Sequence, residues 1–229
     1  YGYRERELEI MKKRLRTSAG PDPENPAYGT SAAAAATFTE RGPRNVAGRT
    51  RAILIDAADA SGNTWIAGSV GGGVWKTSDQ GSTWTNLSSD MENIAVTTLA
   101  QSTIKPQILY AGTGEGWVGN IDAIDGSGVF KSIDGGLSWN KLKDNGLPKK
   151  DVGKIALAMT PASPDRLYAL IETGDGIPYN GKETESGELW RSEDNDKTFK
   201  LINSNRELGS RQAYYTRTTA SPDNANEVY

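Results

Sequence analysis

Two stretches of this sequence combine aromatic rings with carboxylates and amides. The candidate ligand-binding residues in them are Glu115, Trp117, Asn120 and Asp122, within residues 114–127, and Tyr179 and Asn180, within residues 174–187. Aromatic rings stack on sugars and apolar groups, whereas carboxylates and amides make directed hydrogen bonds. We therefore expect these stretches to recognise a carbohydrate or a peptide. The alternative is that both are solvated acidic loops that join two strands.

Two of the acidic residues are also candidate calcium ligands. Asp122 and Asp125 lie in the run Asp-Ala-Ile-Asp-Gly-Ser-Gly, and Ca²⁺ is bound by carboxylate and carbonyl oxygens. The spacing is not that of an EF-hand, and Asp/Gly turns are common without a metal. Ca²⁺ is thus an open possibility, and we expect no other cofactor.

The composition excludes several kinds of chemistry. The 229 residues contain neither Cys nor His, which removes thiolate nucleophiles, Ser–His pairs, disulfides and zinc sites built on these residues. With 26 Lys and Arg against 29 Asp and Glu, the chain lacks the basic excess of a nucleic-acid-binding protein. No apolar run approaches the roughly 18 residues of a transmembrane segment, so we expect neither a nucleic-acid partner nor a membrane span.

Units of about 55 to 60 residues repeat from Phe38 onward. Each unit reads as strand, strand, long loop, strand, tight Asp/Gly turn and strand. The first strands are predicted at Arg51 to Asp56, Val96 to Gln101 and Lys154 to Met159, and a fourth unit begins at Tyr214 to Ala220. Four strands in a unit of this length are typical of a propeller blade. The sequence predicts an all-β fold, a β-propeller of four-stranded blades with about three and a half blades present, as part of a larger propeller.

The tight turn of each unit resembles the Asp-box, or BNR repeat, Ser-x-Asp-x-Gly-x-Thr-Trp. Its key residues in the three copies are Asp79, Gly81 and Trp84; Asp134, Gly136 and Trp139; and Asp194 and Phe199. The third copy departs from the motif, with Asp196 in place of Gly and Phe199 in place of Trp. We expect a structural role, in which Asp accepts backbone N–H bonds, Gly takes a positive φ and the aromatic ring packs between blades.

A longer resemblance extends beyond these turns. Residues 41–51 and 66–76, with Tyr110-Ala-Gly-Thr-Gly-Glu115, are similar to the opening blades of secreted bacterial Asp-box propellers, described as sortilin-like or glycosyl-hydrolase-like. The resemblance covers about residues 38–229 and implies an exported, extracellular or cell-surface protein. In Bacteroidetes such proteins often carry a C-terminal type IX sorting domain, which is not found in this sequence.

The same resemblance raises the question of glycoside hydrolysis. Sialidases of this fold use an arginine cluster and acidic residues, for which Arg49 and Glu115 are candidates, although both residue types have ordinary structural uses. The related xyloglucan hydrolases carry a catalytic Asp at the position of Val70. Valine cannot act as a base, and glycoside hydrolysis normally needs two carboxylates. We therefore predict no catalytic residue here, and count Arg49 with the ligand-binding residues.

Residues 1–37 differ from the repeats. Leu8, Met11 and Leu15 fall on one face of a short basic helix, and a Pro- and Ala-rich linker follows. The sequence thus predicts a helix and linker over 1–37 and a partial propeller over 38–229.

Taken together, the sequence favours a non-catalytic binding or assembly module of a secreted or cell-surface bacterial protein. Its expected partner is a glycan or a protein, bound through the loop face of the propeller. One alternative is a glycoside hydrolase whose catalytic residues lie mostly in blades outside this sequence. Another is a structural subunit of a surface or membrane-associated assembly, docked through the basic helix.

Overall fold

Three four-stranded antiparallel sheets, one for each repeat, form the described part of the chain. The computed structural model describes residues 49–116, 123–174, 187–209 and 212–229. The predicted helix and linker over 1–37 lie outside these residues. Blade 1 contains β1 (Thr50–Ile55), β2 (Trp65–Ser69), β3 (Gly73–Thr77) and β4 (Thr85–Asn86); blade 2 contains β5 (Val96–Gln101), β6 (Leu109–Thr113), β7 (Val129–Ser132) and β8 (Asn140–Lys141); blade 3 contains β9 (Ile155–Thr160), β10 (Ser163–Glu172), β11 (Gly187–Ser192) and β12 (Lys200–Asn203). The all-β prediction and the four-stranded blades are confirmed.

Blade 2 shows how the repeats pack against one another. Successive side chains of a strand point to opposite faces of its sheet. Leu99 and Ala111, which are paired across β5 and β6, belong to the apolar core shared with blade 1. The neighbouring pair, Ala100 and Tyr110, belongs to the core shared with blade 3. Both faces of this sheet are therefore buried, which explains why its strands are apolar at consecutive positions.

The first strands of the blades lie next to one another around a common centre. β1 contacts β5, and β5 contacts β9, whereas β4, β8 and β12 are the last strands of their sheets. Close approach of neighbouring blades depends on Gly112, because a Cβ atom there would lie 2.5 Å from Thr98 Cγ2 and 2.8 Å from Ile155 Cγ2. Stacking of sheets around their inner strands is the arrangement of a β-propeller.

The start of the fourth unit differs from the sequence prediction. Gln212–Tyr215 form a short helical turn, α1, which includes the first two residues of the predicted strand. Extended pairing is limited to a bridge between Ala220 and Val228, flanked by reciprocal backbone hydrogen bonds of 2.8 Å between Thr219 and Tyr229. Ala220 packs against Ala158 and Tyr168 of blade 3. The strand prediction was therefore correct only at its end, where a pairing partner is present.

The three repeated aspartate turns, residues 77–84, 132–139 and 192–199, share one hydrogen-bond pattern. The Oδ1 atoms of Asp79, Asp134 and Asp194 accept a hydroxyl hydrogen bond from the residue two positions earlier, at 2.7, 2.7 and 2.9 Å. They also accept the backbone N–H of the residue four positions later, at 2.8, 3.0 and 2.9 Å. Hydrogen bonds from that later residue are the main cause that lowers the pKa of all three carboxyls to about 2.

Each of these turns contains two consecutive residues in the left-handed region. Their φ values are 58° and 85° at Gln80 and Gly81, 74° and 97° at Gly135 and Gly136, and 58° and 64° at Asn195 and Asp196. The aromatic residue that ends the second and third turns is buried. Trp139 donates its indole N–H to the Leu87 carbonyl of blade 1 at 2.8 Å, and Phe199 lies in the core between blades 2 and 3. Trp84 is half-buried and donates to the Gly81 carbonyl at 3.1 Å.

Candidate functional site

Two of the predicted binding residues are brought together by the fold. Arg49, just before β1, forms an ion pair with Glu115, which follows β6, and so joins blade 1 to blade 2. The Glu115 N–H donates to the Ile124 carbonyl at 2.8 Å, which anchors the loop from β6 to β7. The other predicted binding residues, Trp117, Asn120, Asp122, Tyr179 and Asn180, lie outside the described residues.

The predicted calcium ligands receive no further support. Asp122 is outside the described residues, and the backbone carbonyl of Asp125 accepts a hydrogen bond from Asn93 Nδ2 at 2.9 Å. Within the ranges that the structure describes, no group of three or more acidic side chains is positioned to hold a metal ion. A calcium site at Asp122 and Asp125 stays a prediction.

Strand register shows that the long loops emerge where the inner strands begin. Val96, the first residue of β5, pairs with Thr113, the last residue of β6. Ile155, the first residue of β9, pairs with Ile171 near the end of β10. The loops from β6 to β7 and from β10 to β11 therefore start beside the first residues of β5 and β9. We call this end of the blades the loop end.

A cavity of about 330 Å³ lies between the inner strands. We call it the central cavity. It is lined by residues 51–53 of β1, 97–99 of β5, Lys154 with residues 155–156 of β9, and residues 216–219. Its walls combine threonine hydroxyls, aliphatic side chains and the cations of Arg51, Lys154 and Arg217. All four segments belong to different repeats, so the cavity exists only because the blades pack side by side.

Lys154 is the most buried of the three cations, with 5% of its surface exposed. Burial lowers the pKa of Lys154, the positive charges of Arg51 and Arg217 lower it further, and the carboxylate of Glu172 opposes these effects. Among the residues that the structure describes, no ion pair or side-chain hydrogen bond joins Arg51, Lys154 or Arg217 to a partner. The described lining of the central cavity therefore carries three cations, whose charge the Glu172 carboxylate beside Lys154 offsets only in part.

Glu172 supports the backbone at the rim of this cavity. It is 1% exposed, and its Oε2 accepts the backbone N–H of Lys154 at 3.0 Å. Gly153 leaves room for this carboxylate, because a Cβ atom at position 153 would lie 2.4 Å from Glu172 Cδ. The last residue of β10 thus fixes the chain where Lys154 enters the cavity.

The central cavity was not predicted from the sequence. Its signal was a cation near the start of three inner segments, namely Arg51, Lys154 and Arg217. These residues are more than 60 positions apart in the chain, and each is unremarkable alone. Their shared position becomes visible only when the first strands of the blades are placed beside one another.

No helix in residues 49–116, 123–174, 187–209 and 212–229 has the length and apolar character needed to cross a membrane.

Solved structures resemble this fold over most of the chain. An ancestral GH74 enzyme matches with a TM-score of 0.54 and 19% identity, over 80% of this chain and 21% of that enzyme. A GH74 enzyme from Niastella koreensis matches with a TM-score of 0.48 and 15% identity, over 72% of this chain and 22% of that one. The GH74 xyloglucanase from Xanthomonas campestris matches with a TM-score of 0.38 and 14% identity, over 79% of this chain and 35% of that enzyme.

No protein-family model matches the chain, and no curated protein does. The chain spans about a fifth of the length of the ancestral enzyme, and at such low identity the similarity concerns the fold alone. The fold prediction is supported on both counts, by the blade packing and by this match. In its architecture, the chain is a partial β-propeller similar to part of a GH74 enzyme.

Proposed function

We propose that this chain is a non-catalytic binding module of a secreted or cell-surface bacterial protein, built as an Asp-box (BNR-repeat), sortilin-like propeller, and that it binds carbohydrate at the loop end. The observation that carries the proposal is the central cavity. It opens among the inner strands, at the end from which the two long loops emerge. Ligands of propellers and barrels are commonly held at such openings.

The lining of the central cavity suits a sugar. The Thr218 hydroxyl can both donate and accept hydrogen bonds, as sugar hydroxyls do. Ile53 and Leu99 add aliphatic surface for the C–H faces of a ring. A volume of about 330 Å³ lies at the small end of the range for ligand pockets, roughly 300 to 1,000 Å³. In this proposal Trp117 and Tyr179 contribute stacking from the loops.

The residues of the central cavity favour binding over hydrolysis. Its described lining contains cations and hydroxyls but no carboxylate, whereas glycosidases normally place two carboxyl groups on either side of the scissile bond. Val70, at the position where xyloglucan hydrolases carry a catalytic Asp, is 3% exposed and donates its backbone N–H to the Arg49 carbonyl at 3.0 Å. This residue therefore completes the core at the end of β2.

The proposal is tested by calorimetric titration of the 229-residue chain with neutral and acidic oligosaccharides. We expect binding, and we expect Trp117→Ala to weaken it by about tenfold without lowering the melting temperature. Trp65→Ala is the matched control, because Trp65 lies at the end of β2 opposite the loop end; its affinity should equal that of the wild type. Failure to bind any oligosaccharide contradicts the proposal, and release of new reducing ends contradicts its non-catalytic part.

A further inference from the structure

We propose that the central cavity is an anion subsite that binds the carboxylate of an acidic sugar. This inference rests on the proposed function and names the class of carbohydrate. Its basis is the convergence of Arg51, Lys154 and Arg217 on one cavity from three different repeats.

The strongest observation is a lysine that is largely buried along its side chain but whose ammonium group stays accessible at the central cavity. Lys is almost never fully buried unless it is paired, yet Lys154 is 5% exposed and lines the central cavity. Within the described part of the chain, no ion pair or side-chain hydrogen bond reaches its ammonium group. Two further cations, Arg51 and Arg217, act on it across the cavity. Like charges that share one cavity repel one another, and a nearby opposite charge offsets that repulsion, so an anion in the cavity would lower the electrostatic cost of bringing the three cations together.

Glu172 does not fill this role. Its carboxylate is bound to the backbone N–H of Lys154 at 3.0 Å and is 1% exposed. It interacts electrostatically with Lys154, but the two cations outweigh it and the pKa of Lys154 stays lowered. A second anion, supplied by a ligand, would balance the cations that the described residues place around the cavity.

The remaining lining favours a sugar carboxylate over a bare inorganic anion. Arginine binds carboxylates in a bidentate manner, and Arg51 and Arg217 stand on two sides of the cavity. Thr218 and Thr219 offer hydroxyls, and Ile53, which is 63% exposed, offers apolar surface. An inorganic anion would leave this apolar surface without contact, whereas a sugar ring bearing a carboxylate uses all three kinds of group.

The probes are D-glucuronate, D-glucose and acetate, titrated into the 229-residue chain by ligand-observed NMR at constant ionic strength. We expect glucuronate to bind at least about tenfold more tightly than glucose or acetate, the size of one or two charge-assisted hydrogen bonds. Lys154→Met and Arg217→Ala should each weaken glucuronate binding about tenfold while the affinity for glucose is unchanged. Lys105→Met makes the same substitution at an exposed position outside the cavity and should change neither affinity.

Different failures have different meanings. If neutral oligosaccharides bind the chain but glucuronate has no advantage over glucose, or if Lys154→Met binds glucuronate as the wild type does, this inference is wrong and the proposed function stands. Equal affinity for acetate and glucuronate also overturns it, since the site would then not select a sugar. If no carbohydrate binds, both proposals fail.

The melting temperature of each variant shows whether lost binding reflects unfolding. Lys154→Met, which replaces a buried cation by an apolar chain, should melt no lower than the wild type.

Discussion

Two lysines of this fold differ in their ionic partners. Lys131 lies at a blade interface, and Lys154 lines the central cavity. Lys131 on β7 places Nζ 2.5 Å from Asp196 Oδ1 and 5.7 Å from the centre of the Tyr110 ring. Lys154 has no such partner among the described residues. Yet Lys154 is the more buried residue, since it is 5% exposed whereas Lys131 is half-buried. Our proposal accounts for this difference if the Lys131 contact is structural and the Lys154 ammonium is available to a ligand.

The interface contact depends on a departure from the repeat. Asp196 occupies the position of Gly81 and Gly136 in the other aspartate turns, with φ 64°. Its Oδ1 accepts both the Lys131 ammonium and the Tyr110 hydroxyl, the latter at 2.9 Å. Burial, and then the negative charge of Asp196, raise the pKa of Tyr110 well above its usual value. The third turn has therefore exchanged a glycine for a carboxylate that holds blades 2 and 3 together.

The largest effect is expected at Asp196. Asp196→Ala leaves a largely buried Lys131 and the Tyr110 hydroxyl without their acceptor, so unfolding free energy should fall by about 3 kcal/mol. Urea denaturation measures this loss of unfolding free energy. Asp151→Ala, which makes the same substitution at an exposed position, is the control. A loss below about 1 kcal/mol, the level of an exposed pair, would contradict the importance of this contact.

Asp196→Gly sharpens the comparison, because it restores the residue found in the other two turns. If the third turn were only a degraded repeat, glycine at φ 64° would stabilise the protein. We expect the reverse, a loss of about 2 kcal/mol, since the carboxylate is removed while backbone strain is relieved by roughly 1 kcal/mol relative to alanine. A melting temperature above that of the wild type would show that the departure carries no interface contact.

Tyr110→Phe should have a smaller effect. The substitution removes one hydrogen bond to Asp196 but keeps the ring, which is 2% exposed, and the ion pair with Lys131. The expected loss is about 1 kcal/mol, again measured in urea. Tyr168→Phe, which removes a hydroxyl bonded to the Ala225 carbonyl at 2.7 Å, provides a matched control on the next blade. In a double mutant with Asp196→Ala, the Tyr110 effect should largely vanish, because the two residues share one contact.

The smallest stability effect is expected at Lys154. Lys154→Met should leave unfolding free energy unchanged or raise it by up to about 1 kcal/mol, because a buried cation without a partner is replaced by an apolar chain. The lowered pKa of Lys154 means that the unfolded chain holds its proton more tightly. The wild type should therefore gain stability relative to the variant as pH rises toward 10.5, the ordinary pKa of lysine. A loss above about 2 kcal/mol would indicate a structural partner for Lys154.

The sequence was sufficient for the features that repeat. The predicted first strands, Arg51 to Asp56, Val96 to Gln101 and Lys154 to Met159, agree with β1, β5 and β9 to within one residue. Local signals decide such elements, because short apolar runs and Asp/Gly turns are set by neighbours in the chain. The fourth unit was less predictable, since its strand depends on a partner strand, and its first residues form a helical turn instead.

The contacts between repeats could not be derived in the same way. Asp196 was interpreted as a decayed glycine, because its partner Tyr110 lies 86 residues away in the chain. The central cavity likewise joins residues from four repeats, and no spacing rule connects Arg51 with Lys154. Such sites depend on how sheets stack, which the hydrophobic pattern of each strand allows but does not specify.

The central claim, that the central cavity is the ligand site, is tested most directly by methyl NMR of the 229-residue chain titrated with D-glucuronate. We predict shifts at the methyl groups of Ile53, Leu99 and Ile155, which line the cavity, and none at Ile104 and Ile133, which are 55% and 64% exposed elsewhere. Saturable shifts that spare the three cavity residues, or no shift at any concentration, would contradict the account.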